Sequence, residues 1–151
     1  MNTVKELLTE EDFFSTVYKS AKMGADAIIN LLPKVKNDGL RSQMTRQLDG
    51  YERYAASARR ELERIGSAVK EENLLLRVSA RMGMAFHTMV DASAGHIAEM
   101  LIEGSNMNIT DMTRLLNNYA GDREEAEDAI RLARDVIDFE GCNVEALKRY
   151  L

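Results

Sequence analysis

An all-α chain folded as an antiparallel up-down-up-down four-helix bundle is what three observations predict. Apolar residues recur at three- and four-residue spacing along nearly the whole length, as helices with one buried face require. β-Branched and aromatic runs are scarce, and proline occurs once, at Pro33. The breaks between periodic stretches are short, and short connections force consecutive helices to run antiparallel. With 151 residues the chain fits one domain, 1–151, with a sizeable core.

The first helix starts at Thr9, where Thr9-Glu10-Glu11-Asp12 resembles a capping box with acids in the first turn. Its stripe is Phe14, Tyr18, Ala21, Ala25, Ile28, Leu32 and Val35, and Pro33 ends it or bends its last turn. Asn37-Asp38-Gly39 reads as a tight turn. The second helix runs from about Leu40 to Ile65 with Met44, Leu48, Tyr51, Ala55, Ala58, Leu62 and Ile65 on one face, and Gly66 stands where a C-terminal cap belongs. A linker, Ser67 to Glu71, leads to a central helix of roughly Glu72 to Glu103, which Gly104-Ser105-Asn106 breaks. A short extra helix from Thr110 or Asp111 to Tyr119 follows, between the third and fourth long helices. The last helix begins near Asp122 and carries Ala126, Ile130, Ala133, Ile137, Val144, Leu147 and Leu151, with a kink expected at Gly141.

Composition excludes several function classes. A net charge of −5 argues against a phosphate-binding surface, and the basic pairs Arg59-Arg60 and Lys34/Lys36 have acidic neighbours, so no nucleic-acid partner is expected. No run approaches the ~20 apolar residues that span a bilayer. The lone Cys142 has no internal disulfide partner, and MNTVKELLTEED lacks the layout of an export signal. These features together point to a soluble, cytoplasmic protein without a membrane partner. There is no Gly-rich phosphate loop, no Gly-x-Ser-x-Gly and no Cys-x-x-Cys-His, and the nine methionines read as core filler.

The segment Arg81 to Gly104 is apolar almost all round and holds both histidines, which places it at the centre of the molecule. At about 100° per residue its polar groups fall on two faces. His87 and Asp91 lie together; His96, Glu99 and Glu103 lie on roughly the opposite side. Asp91 could orient His87, as carboxylates orient imidazoles; the second group could ligate a metal or simply form an ion pair near a helix end. Counting along antiparallel helices at about 1.5 Å per residue brings Glu52, Met23, Asp26 and Glu140 to the height of His87. Glu140 also occupies a position on the otherwise apolar seam of the last helix. A carboxylate there, level with another and with a histidine, has the arrangement of a metal site in a bundle core.

Four long helices with mid-height carboxylates make the chain resemble ferritin-like proteins. The block from His96 to Met107 (HIAEMLIEGSNM) and the ending from Asn143 to Lys148 (NVEALK) further resemble a group of small proteins of anaerobic Gram-positive bacteria to which no activity is assigned. Di-iron members of the ferritin-like class use two Glu-x-x-His pairs and two further glutamates. Here Met84 stands three residues before His87 and Ser93 before His96, while the other helices offer Glu140-x-x-Asn143 and Glu52-x-x-Ala55. The resemblance therefore implies the bundle without a standard di-iron site.

The function expected is an interaction or small-ligand-binding module with no cofactor and no assigned catalytic residue. The alternative is a divergent iron- or manganese-binding oxidoreductase or metal store that uses Glu52, His87, Asp91 and Glu140, with His96 and Glu99 as a second candidate set. A homodimer that covers the apolar surface of the central helix is a third reading.

Overall fold

A computed structural model of the chain describes residues 9–67 and 91–151, which form four α-helices and no strand. In order these are α1 (Glu10–Leu31), α2 (Asp38–Arg64), α3 (Ala94–Asn118) and α4 (Glu127–Leu147). Single 3₁₀ turns follow α1 at Leu32–Lys34 and α4 at Lys148–Tyr150. Among the described residues no helix is long and apolar enough to cross a membrane.

α1 and α2 form an antiparallel hairpin. At its open end the Thr9 backbone N–H donates to Asp12 Oδ2 at 2.6 Å, and three acids in the first turn face the positive end of the helix dipole. Pro33 stops α1 and is accommodated in the tighter 3₁₀ turn. Asn37, which the sequence suggested would open a tight turn, caps α2 instead and accepts the Leu40 N–H at 2.9 Å. Turn formation and capping draw on the same short side-chain acceptor, so the residue type does not separate them. Arg41 closes the corner by donating to the carbonyls of Leu32 and Val35. α2 ends on Gly66 at φ +76°, with Ser67 N–H bonded to Leu62 O and Gly66 N–H to Glu63 O, the paired bonds of a Schellman motif. Ser67 Oγ then donates to Glu11 Oε1 at 2.6 Å, which brings the end of α2 beside the start of α1.

The third helix departs from the sequence expectation at both ends. Positions 72–90 lie outside the described residues, and 91–93 are not helical, so the expected Glu72–Glu103 helix is not continuous. Ser93 caps a new start by accepting the His96 N–H, and Asp91 Oδ1 accepts the Ser93 N–H. At the other end the helix runs straight through Gly104-Ser105-Asn106 to Asn118, absorbing the short extra helix expected from Thr110 or Asp111. One glycine costs a helix only about 1 kcal/mol against alanine, and here Ser105 is buried and anchored to α4. Tertiary contact overrides local propensity. α4 likewise passes Gly141 without a break. Gly95 lies against the backbone of Tyr150, so the start of α3 meets the end of the α4 segment and these two helices are antiparallel as well.

Each hairpin packs chiefly within itself, and the two meet over a shared core. Phe13, Phe14, Ile28 and Leu31 of α1 are buried with Leu40, Met44 and Leu62 of α2, Ile97 and Met112 of α3, and Leu147 of α4. Two glycines set the closest approaches. A methyl group on Gly24 would fall 2.6 Å from Tyr51 Cζ, and one on Gly50 would enter the Phe139 ring. Tyr51 therefore seats in a notch on α1 and Phe139 in a notch on α2, while the two rings meet edge to face at 5.3 Å.

Gly50→Ala should destabilise the fold by about 1–3 kcal/mol, since the wedged Phe139 ring must move. Gly104→Ala, inside α3 and facing open space, should stabilise it by roughly 0.5–1 kcal/mol. Urea unfolding of both variants checks the opposite signs; destabilisation by Gly104→Ala would contradict a continuous α3.

Candidate functional site

One charged side chain lies wholly inside the described core. Glu140 of α4 is 0% exposed. It belongs to the seam Ala126, Ile130, Ala133, Ile137, Val144 and Leu147, and helical spacing rather than a local distortion carries it inward. Burying a carboxylate costs several kcal/mol unless donors replace its water shell. Four donors do so. Tyr51 Oη of α2 donates to Oε1 at 2.6 Å, and Asn143 Nδ2, one turn along α4, donates to the same oxygen at 2.9 Å. Ser105 Oγ of α3 reaches Oε1 at 3.4 Å, and Asn108 Nδ2 of α3 donates to Oε2 at 2.7 Å. Three helices thus converge on one carboxylate, and no lysine, arginine or histidine of the described residues bonds to it.

Tyr51 feels this arrangement most. Burial, then the adjacent Glu140 charge, then the hydrogen bond to it push the phenol well above its ordinary range, so it stays a donor. Ser105 and Gln47 act weakly in the opposite sense. Gln47, 1% exposed, stands one turn before Tyr51; its amide lies near the phenol, yet Nε2 makes no bond of ordinary geometry. Gln43 precedes it by another turn and donates to Gln47 Oε1 at 3.4 Å. A buried polar ridge therefore runs along α2 and ends on Glu140.

Tyr51, Ser105 and Asn108 also face outward into a cleft of about 350 Å³ between α1 and α3. Its walls are mainly apolar: Met23, Ala27 and Leu31 from α1, Met100, Leu101 and Met107 from α3. Three of the four side chains that hold Glu140 thus belong to the polar lining of the cleft, together with Ser20, Glu103 and Asp111.

Among the described residues, those singled out from sequence do not assemble into one site. Glu52 is exposed, one position past Tyr51, so about 100° of helical rotation turns it away from the core. Asp91 is exposed and flanks the start of α3; its carboxyl is held below the usual range by the Ser93 backbone N–H first, then the Ser93 hydroxyl, with His96 contributing least. His87 lies outside the described residues, as do positions 81–90 of the apolar segment behind the homodimer reading. His96 is half-buried, whereas Glu99 and Glu103 are exposed. Among the described residues no three His, Cys, Asp or Glu side chains are placed to hold one metal ion. Tyr51, Ser105, Asn108 and Gln47 were missed as functional candidates, although Gln47 interrupts an apolar seam just as Glu140 does.

Compared with known protein families, curated proteins and solved structures, the chain matches none.

Tyr51→Phe should cost about 1.5–3 kcal/mol, the worth of a hydrogen bond to a charged group. The raised phenol pKa also fixes a pH dependence. Its folded value exceeds the unfolded value of about 10, so its stabilising contribution is complete below about pH 10 and disappears as pH rises through the folded value. In an absorbance titration of tyrosinate, one tyrosine should ionise only together with alkaline unfolding, and that late step should be missing in Tyr51→Phe. Tyr54 and Tyr119 are shifted the same way, burial being the first cause in each, so the difference between the two proteins is the quantity to read.

Proposed function

We propose that the chain is a ferritin-like, antiparallel up-down-up-down four-helix bundle, lacking a standard di-iron site, that binds a small molecule in the cleft between α1 and α3. The single observation that carries this reading is the cleft itself. At about 350 Å³ it falls in the size range of small-molecule sites, which are commonly ~300–1,000 Å³ and combine apolar walls with a few fixed polar groups. Here the polar groups are fixed unusually well, because Tyr51, Ser105 and Asn108 are each tied to Glu140. The bundle topology is supported by the two antiparallel hairpins and their common core.

A metal-centred oxidoreductase or store would need ligands around Glu140, and its four bonded neighbours are a phenol, a hydroxyl and two amides. Such groups are weak competitors for iron or manganese compared with carboxylate and imidazole. The nearby Glu52 faces away.

Two measurements test the proposal. With carbon-13 labels on the methionine methyls, the neutral probe 4-phenylbutan-1-ol should shift the resonances of Met23, Met100 and Met107, and Ala27→Phe should abolish those shifts while circular dichroism stays unchanged. No shift at these methyls would overturn the cleft as a binding site. Metal analysis of untagged protein purified anaerobically should show no stoichiometric metal; iron or manganese at one or two ions per chain, lost in Glu52→Ala and in Glu140→Ala, would establish the metal reading instead.

A further inference from the structure

The charge pattern around the cleft narrows what it accepts. Two carboxylates, Glu103 and Asp111, stand among its described lining residues, Asp111 in an ion pair with Arg114 at 3.5 Å, and no lysine, arginine or histidine of the described residues lines it. Both come from α3, eight residues apart, which sets them about two turns from each other along that helix and about 80° apart around it. Between them lie Met107, whose side is open to solvent (62% exposed), and Asn108. A third carboxylate lies directly beneath. Among the described residues Asn108, Ser105 and Tyr51 connect the cleft to Glu140, since each both lines the cleft and donates to that carboxylate. A charge in a protein interior is screened far less than one in water, so its field reaches into the cleft through three neutral side chains. The walls opposite, Met23, Ala27 and Leu31, are apolar, and thioethers and aliphatic groups cover an organic cation's hydrocarbon part without repelling its charge.

We infer that the cleft selects an amphipathic organic cation, a molecule with an apolar body of about ten carbon atoms and one ammonium group. The body lies against Met23, Ala27, Leu31 and Met100, and the ammonium group sits at the Glu103–Asp111 side above Asn108. Anionic molecules of the same shape are disfavoured by Glu103 and Glu140 above all, since Arg114 offsets part of the Asp111 charge, and they find no basic residue to pair with among the described lining residues. This inference rests on the cleft being the binding site, and it adds the sign of the ligand's charge.

A matched series separates the two claims: 4-phenylbutan-1-amine, 4-phenylbutan-1-ol and 4-phenylbutanoate have the same body and carry a positive, zero and negative charge at neutral pH. Binding is read from the methionine methyl resonances at low salt. The amine should bind at least about tenfold more tightly than the acid, the margin expected from two partly exposed charge pairs and one buried charge. The preference should shrink at high salt. Because Glu140→Gln risks unfolding, the decisive variant is the double substitution Glu103→Gln with Asp111→Asn at exposed and half-exposed positions. It should remove most of the amine preference while the alcohol continues to shift the methyl resonances. If all three probes bind equally, or the acid binds best, the inference falls while the cleft stands. An amine preference that survives the double variant at full size also overturns it. If none of the three shifts the methyls, the cleft itself is not a site and both readings fall together.

Discussion

The interaction on which the rest of the structure depends is the burial of the Glu140 carboxylate. A charge taken from water must be re-solvated by the protein, and among the described residues the donors that do it come from three different helices. Tyr51 must arrive from α2, Ser105 and Asn108 from α3, and Asn143 from the next turn of α4. Each requirement constrains a helix in both height and rotation. Apolar packing alone tolerates many arrangements of similar volume, whereas a carboxylate needing four directed bonds tolerates few. The arrangement is asymmetric in energy: assembled, it roughly offsets its own desolvation, and losing one partner leaves a buried charge underserved.

The same bonds govern the cleft. Side chains at a binding surface are held in place only as well as their supports, and here the support is a single group. Tyr51, Ser105 and Asn108 therefore act as one rigid patch rather than three independent rotors. In Tyr51 the coupling is closest, because its ring fills the Gly24 notch, meets Phe139 edge to face and ends on Glu140.

The first, second and last helices and the seam position of Glu140 were legible in the sequence. The stripes on the first, second and fourth helices are buried nearly as read, with Leu32, Leu48, Ile65, Ile137 and Val144 half-buried and Leu151 exposed. Counting residues from the turns set Glu140 level with Glu52, Met23 and Asp26, and the residues found together are Glu140 with Tyr51, and Tyr51 with Gly24, each one removed from Glu52 or Met23. What the count could not supply was rotation: a difference of one residue turns a side chain by about 100°, enough to exchange a buried tyrosine for an exposed glutamate. Asn143 was noticed only as a missing histidine, although an amide three residues on from a buried acid is a donor in its own right. The continuity of α3 was hidden for another reason. Gly104-Ser105-Asn106 looks like a stop signal locally, and the bonds that keep it helical come from a residue thirty-five positions away.

The two glycine notches carry a consequence for alternative packings. A helix that slipped by one turn, about 5.4 Å, would offer Tyr51 not Gly24 but Ser20 or Ile28, and would offer Phe139 not Gly50 but Arg46 or Tyr54. None of those positions has room for a ring at the same distance. The chain thus rejects its nearest misfolded neighbours by means of two side chains it does not have, and only in the surviving register do the four donors find their acceptor.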